Sequence, residues 1–232
     1  MHLLQALFSQ GFGSRKSCEA LIKSGLVKIG NQVSFNPYLE VSPSNLVLTV
    51  DGQEWLYRPR AYVALHKPPG YECSRQPQRY PSVLSLLPQP LQRRNIQPVG
   101  RLDADTTGLL FLTDDGALLH KLTSPKHQTP KIYEVVCKHL LSDEQIAQLL
   151  KGVTLRDDPE PICAQSISRV SEQKIHLTIT QGKYHQVKRM VAAAGNRVDK
   201  LHRIQIGQFR LPPNLEPGQW IWIDNPSIIL AR

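Results

Sequence analysis

Gly100-Arg101-Leu102-Asp103-Ala104-Asp105-Thr106-Thr107-Gly108-Leu109-Leu110 sets a carboxylate in a polar turn bounded by glycines. Residues 96–99 upstream and 109–113 downstream read as short apolar strands, so Asp103 falls on a connection fixed at both ends by a sheet. Such a place suits an active-site acid. It equally suits a turn former, because Asp, Thr and Gly between strands often do no more than close the bend. The stretch alone leaves both readings open.

Outward from this turn, strands and helices mix without the regular alternation of a doubly wound fold. Residues 61–65, 132–137, 175–180 and 220–223 read as further strands, and Ile175, Leu177 and Ile179 alternate as on a half-buried one. Ser142-Asp143-Glu144-Gln145 is a capping box opening a short helix that Gly152 ends. A helix over 184–194 turns Val187, Met190, Val191 and Ala194 to the core and leaves Lys188 and Arg189 beside that face. The expected class is α+β, with a mainly antiparallel mixed sheet flanked by helices. Pro and Gln crowd residues 76–98 around Arg93 and Arg94, which reads as an exposed basic loop.

The first 50 residues form a miniature of their own. Leu3, Leu4, Leu7 and Phe8 recur at helical spacing, Gly11-Phe12-Gly13 breaks the chain, and Ser14 caps a second helix ending at Gly25. Short strands follow around a Gly30-Asn31 turn, then another over 46–50 before Asp51-Gly52. Arg15, Lys16, Lys23 and Lys28 lie on or beside the second helix, opposite Leu21 and Ile22, where they are placed to follow a phosphate backbone or simply to be solvated. The organisation expected is a small domain at 1–50, a linker at 51–60 and a larger domain at 61–232.

The chain has 232 residues, 41% of them hydrophobic, enough for an ordinary core. A formal charge of +9 favours a polyanionic partner, without separating RNA, DNA and anionic lipid. No apolar run approaches the roughly 20 residues that span a bilayer, and Met1-His2-Leu3-Leu4 lacks the features of a leader, so no membrane association and a cytoplasmic location are expected. Cys18, Cys73, Cys137 and Cys163 are scattered, without zinc-ligand spacing, and read as reduced packing thiols.

Five ordered motifs decide what the turn is for. Gly100-Arg101-Leu102-Asp103 resembles the signature of the pseudouridine synthases, in the branch that includes RsuA and its large-subunit relatives. His66-Lys67-Pro68-Pro69-Gly70 resembles that branch's first turn, usually written with Asn where His66 stands. Lys131-Ile132-Tyr133 resembles its Lys-x-Tyr motif, and Gly182-Lys183-Tyr184-His185-Gln186-Val187-Lys188-Arg189-Met190 its Gly-Arg-Tyr-His-Gln-Val-Lys-Arg-Met block. Leu201-His202-Arg203-Ile204-Gln205-Ile206-Gly207 completes the set. At the N-terminus, Ser14-Arg15-Lys16 and Leu21-Ile22-Lys23-Ser24-Gly25-Leu26-Val27 resemble the S4-type RNA-binding domain, although Met1-His2-Leu3-Leu4-Gln5 replaces its usual Arg-Leu-Asp-Lys opening.

The resemblance implies isomerisation of uridine to pseudouridine in RNA, with neither metal nor cofactor. The N1–C1′ bond breaks, the uracil turns, and C5 joins C1′. Positive character at C1′ suits one ionised carboxylate acting as nucleophile, electrostatic stabiliser or base at C2′, and the resemblance gives that role to Asp103. It makes Lys188 the cation that keeps Asp103 charged against desolvation. It sets Tyr133 against the flipped base, Leu201 near that ring, and Arg101, Arg189 and Arg203 as supports that hold phosphates or order the site. The partner implied is ribosomal RNA, with Asp105-Thr106-Thr107-Gly108 and Thr113-Asp114-Asp115-Gly116 looking most like the small-subunit type. One uridine of 16S RNA, at the uridine-516 site and in a precursor particle, is expected as substrate of a monomer.

Other chemistries fit fewer residues. Asp103, Asp105, Asp114, Asp115 and His120 offer oxygen and nitrogen ligands for a metal-dependent nuclease, but they spread over separate turns. A glycosidase needs a second carboxylate, for which Asp105 is available, though Asp105 reads more naturally as a turn former. A 23S enzyme of the same branch and a non-catalytic RNA-binding protein are the remaining alternatives.

Overall fold

The computed structural model describes residues 1–156, 158 and 160–230, which form two compact units. The first comprises residues 1–61 with 87–97 and 113–115. Helices α1 (Leu3–Gln10) and α2 (Arg15–Lys23) precede β1 (Val27–Ile29), β2 (Gln32–Val33), β3 (Val47–Val50) and β4 (Gln53–Leu56), and the antiparallel sheet has the order β2-β1-β3-β4. The Ser14 hydroxyl accepts a hydrogen bond from Ser17 N at 3.1 Å and caps α2. Leu3, Leu7, Cys18, Ile22, Val27 and Leu48 close the core.

Two expectations change within this unit. The expected linker contributes β4, because Asp51 (φ 49°) and Gly52 (φ 77°) both take the left-handed conformation of a two-residue hairpin turn and fold the chain back on β3. The expected exposed loop at 76–98 is exposed only over 75–81 and at scattered positions beyond. Leu87, Leu91 and Ile96 are buried around α3 (Gln89–Arg93), and in the second unit Val83 and Leu84 are buried too. Arg94 is itself interior: it donates from Nε to Asp114 Oδ2 at 2.8 Å and from Nη1 to Gln10 Oε1 at 3.1 Å and Arg58 O at 3.0 Å. A composition rich in Pro and Gln concealed the apolar spacing that packs this segment.

The second unit comprises 62–86, 98–112 and 116–230. Its strands are β5 (Tyr62–Lys67), β6 (Gln97–Val99, whose first residue belongs to the other unit), β7 (Thr107–Thr113, whose last residue does), β8 (Lys131–Cys137), β9 (Ser166–Arg169), β10 (Lys174–Ile179), β11 (Val198–Ile206), β12 (Phe209–Arg210) and β13 (Trp220–Trp222). The helices are α4 (Gly116–Thr123), α5 (Asp143–Lys151), α6 (Gln186–Ala193) and α7 (Ser227–Leu230). The sheet runs β13-β5-β7-β11-β8-β10-β9, with β12 on β11 and β6 on β7. The β7–β11 pair is parallel and β11–β8, β8–β10, β10–β9 and β13–β5 are antiparallel, the mixed sheet expected.

The patterns explain the placement. From Gly108 onward β7 is buried at every position, as a central strand covered on both faces must be, whereas β8 alternates, burying Tyr133, Val135 and Cys137. A Cβ on Gly108 (φ 103°) would stand 2.3 Å from the Arg203 carbonyl oxygen, so only glycine lets β7 approach β11 there. The α5 capping box forms as expected. Helix α6 starts two residues later than expected because His185 is left-handed (φ 48°, ψ 32°). Among the described residues no helix is long and apolar enough to cross a membrane.

Candidate active site

The turn between β6 and β7 is tied from beneath. Thr106 N donates to Asp103 O at 3.1 Å and Gly70 N to Ala104 O at 2.7 Å. Lys67, the last residue of β5, is fully buried, and its Nζ donates to Pro68 O (3.1 Å), Ala104 O (3.1 Å) and Thr106 O (2.9 Å). Burial pushes its ammonium pKa down, yet three carbonyl acceptors saturate its donors. The His66-Lys67-Pro68-Pro69-Gly70 segment thus clamps the Asp103 turn, a role that sequence reasoning did not assign to Lys67. Leu102 N donates to Cys73 Sγ at 3.4 Å, and Arg101 is exposed, with its charge acting on Glu72.

Above the clamp, α6 supplies a cation, Lys188. Val187, Met190 and Val191 bury one face of the helix. Lys188 of α6 and His185, the left-handed residue that precedes the helix, both reach Asp103. Lys188 Nζ lies 3.0 Å from Asp103 Oδ2, and His185 Nε2 lies 3.1 Å from Asp103 Oδ1. Lys188 also meets Asp105, at 2.7 Å and 2.9 Å from its two carboxylate oxygens. Asp105 is therefore more than the turn former expected, since it shares the lysine with Asp103. Burial pushes the Asp105 carboxyl up, but the Lys188 hydrogen bond and charge hold it below its ordinary value; for Lys188, burial is outweighed by the two carboxylates and the net direction is up. His185 escaped the sequence reading. The signal for it was its place in the Gly182–Met190 block, three residues before Lys188. Arg189 points Nη1 to Tyr184 O at 3.3 Å.

The β8 residues form the neighbouring wall. In register, Gly108 of β7 stands beside Arg203 of β11, and Arg203 beside Tyr133 of β8. The end of the Asp103 turn and the Tyr133 strand are thus two strand spacings apart, about 10 Å. Tyr133 is 8% exposed and accepts at Oη a hydrogen bond from Arg203 Nη1 at 3.3 Å. Arg203 Nε donates to Leu109 O at 2.8 Å, and Leu201, paired with Val135, is buried beside them. The sequence-derived residues therefore assemble as two groups on one sheet: Asp103 with Lys188, and Tyr133 with Arg203 and Leu201. Arg15, Lys16, Lys23 and Lys28 belong to the first unit and are exposed; Arg15 lies 4.7 Å over the Phe8 ring and Lys23 pairs with Glu19 at 2.7 Å.

Lys131, at the head of β8, is pushed down from 10.5 to about 8, first by burial and then by the Arg203 charge. A base whose folded pKa lies below its unfolded value binds fewer protons when folded, so stability rises with pH through that window. The unfolding free energy of the protein relative to a Lys131→Met variant should increase between pH 8 and 10.5. Chemical denaturation across that range measures it; a flat difference would mean that Lys131 is not desolvated.

Residues 61–193 match the family model described as RNA pseudouridylate synthase. The chain is 39% identical over 223 residues to the uncharacterized RNA pseudouridine synthase YtzG of Bacillus subtilis, covering 95% of this chain and 93% of the relative. It is 37% identical over 215 residues to ribosomal small subunit pseudouridine synthase A of Vibrio cholerae, covering 93% and 92%, and 38% identical over 220 residues to the protein of that name in Yersinia pestis, covering 94% and 92%. A solved structure described as a pseudouridylate synthase superposes along the full length of both chains with a TM-score of 0.70 and 32% identity. With its motifs in order, its mixed sheet and this chain-long similarity, the protein belongs to the RNA pseudouridylate synthase family and is an isomerase of uridine in RNA.

Proposed function

We propose that this enzyme isomerises one uridine of 16S ribosomal RNA, at the uridine-516 site, with Asp103 as the residue that acts at the sugar. The observation that carries the substrate is the similarity, over more than nine tenths of both chains, to proteins named ribosomal small subunit pseudouridine synthase A. For the chemistry, support comes from a carboxylate that is 27% exposed and held from both oxygens by Lys188 and His185. Such pairing fixes the orientation of the carboxylate.

The reading assigns the remaining parts by their chemistry. A stacked uridine is flipped out so that C1′ and C5 become accessible, and the Tyr133 ring lies against it. As the N1–C1′ bond lengthens, Asp103 meets the positive character at C1′; once the base has turned, C5 bonds to C1′ and its proton leaves. Residues 1–50 act as an S4-like RNA-binding domain through Arg15, Lys16, Lys23 and Lys28, whose exposure suits phosphate contacts. Residues 61–232 act as the catalytic domain. RNA within a precursor small-subunit particle is the form of substrate proposed, for a monomeric enzyme.

Pseudouridine mapping in both ribosomal RNAs tests the substrate. A strain lacking the gene should lose one 16S pseudouridine, regained with the wild-type gene and not with Asp103→Asn. Loss at a 23S position instead would overturn the 16S assignment, and loss at neither would overturn the ribosomal one.

A further inference from the structure

The interior beside Tyr133 holds more positive charge than it has acceptors for. Arg203 is 3% exposed; Nε and Nη1 are used on Leu109 O and Tyr133 Oη, and its buried Nη2 has no acceptor among the described residues. Lys131 stands two residues before Tyr133, on the same face of β8, and is only partly exposed. Among the described residues its ammonium has no hydrogen-bond or ion-pair partner, and its one charged neighbour is Arg203. Lys67 shows the contrast, since the fold satisfies that buried cation with three carbonyls. The nearby carboxylates are already taken, Asp103 and Asp105 both being paired with Lys188.

Leaving a buried guanidinium donor unmatched, with a partly buried ammonium on the neighbouring strand that feels its charge, is costly, and a site that awaits an acceptor accounts for it. Its occupant must reach a guanidinium that is 3% exposed, which favours a flat base over a bulky, hydrated backbone phosphate. Tyr133, held at Oη by the same arginine, is the surface against which the proposed reaction sets the uracil. We propose that Lys131 Nζ and Arg203 Nη2 together receive a carbonyl oxygen of the flipped uracil and stabilise the negative charge it gains as the N1–C1′ bond breaks. The inference rests on the uridine reaction given above.

The balance is simple. The N1–C1′ electron pair leaves with the uracil and spreads over N1, O2 and O4, while Asp103 meets the positive character left at C1′. The same ring electrons then form the C5–C1′ bond, the C5 proton departs, and N1 takes up a proton. Lys131, in its ammonium form, and Arg203 transfer no proton and act as hydrogen-bond donors aimed at charge that develops during cleavage.

A change of leaving group tests this. Fluorine at C5 stabilises the departing base on its own, so an enzyme lacking a cation should suffer less with 5-fluorouridine at the target. In single-turnover cleavage of the N1–C1′ bond, Lys131→Met should be slowed about 100-fold on uridine RNA and less than about 10-fold on 5-fluorouridine RNA. Lys131→Arg should regain most of the loss, and filter-binding affinity for the RNA should not move. An equal loss on both RNAs, a rate unchanged on uridine RNA, or a loss seen only as weaker RNA binding would each overturn the inference; the last would make Lys131 a phosphate contact. Because the comparison of leaving groups is made within one variant, a general weakening of the fold cannot mimic it. Absence of any pseudouridine with the wild-type enzyme would instead overturn the reaction on which it rests.

Discussion

Asp103→Asn is expected to lower single-turnover pseudouridine formation by about 10,000-fold or more, the scale on which removal of a reaction-centre nucleophile or base acts. The substitution keeps the shape of the side chain and removes its charge. The turn itself should survive, because its geometry depends on main-chain carbonyls held by Lys67 and Gly70 and not on the carboxylate. An ion pair at 3.0 Å to Lys188 is lost and the 3.1 Å contact to His185 altered, on a side chain that is a quarter exposed, so the fold should lose little. RNA affinity and the thermal midpoint therefore stay close to wild type while the chemistry stops. A variant that fails through unfolding would show instead a broadened or lowered melting transition.

Lys188→Met is expected to have the next largest effect, a fall of about 100- to 1,000-fold in the single-turnover rate, as for removal of a preorganised charge at a reaction centre. One ammonium neutralises two carboxylates here, with Asp103 and Asp105 both within 3.0 Å of it. Without it the pair repel each other, and only His185 remains on Asp103. The helix should hold its place, because Val187, Met190 and Val191 anchor it through the neighbouring face. Lys188→Arg keeps the charge but places it in a wider, planar fork, so it should recover part of the rate. Equal RNA affinity across the three proteins, measured by filter binding, would locate the effect in the reaction step; a rate loss that tracked affinity would make Lys188 a phosphate contact.

Local chemistry was the legible part of this sequence. Ser14 and Ser142 announce helix starts through their side chains, and the Val187-Met190-Val191 spacing fixes which face of α6 is buried, so these elements follow from neighbours a few residues away. The Asp51-Gly52 turn is legible too, and a two-residue hairpin demands a partner strand, but the polar, proline-containing stretch after it has the composition of a linker. What the sequence hid were pairings across long separations. Asp105 and Lys188 are 83 residues apart, and nothing local distinguishes an aspartate that shares a lysine from one that closes a turn. Lys67 is hidden in the same way, as a lysine ending a strand reads as solvated until three carbonyls are found around it. His185 required its left-handed backbone, a conformation that its residue type does not reveal.

The central claim is that Asp103 drives uridine isomerisation in RNA, and release of tritium from uracil C5 tests it most directly, since that hydrogen leaves only if C5 becomes bonded to C1′. With 16S RNA labelled at C5 and a chelator present, the wild-type enzyme should release tritium in step with the pseudouridine formed, and Asp103→Asn should release none above background. Tritium release by Asp103→Asn at the wild-type rate would contradict the account.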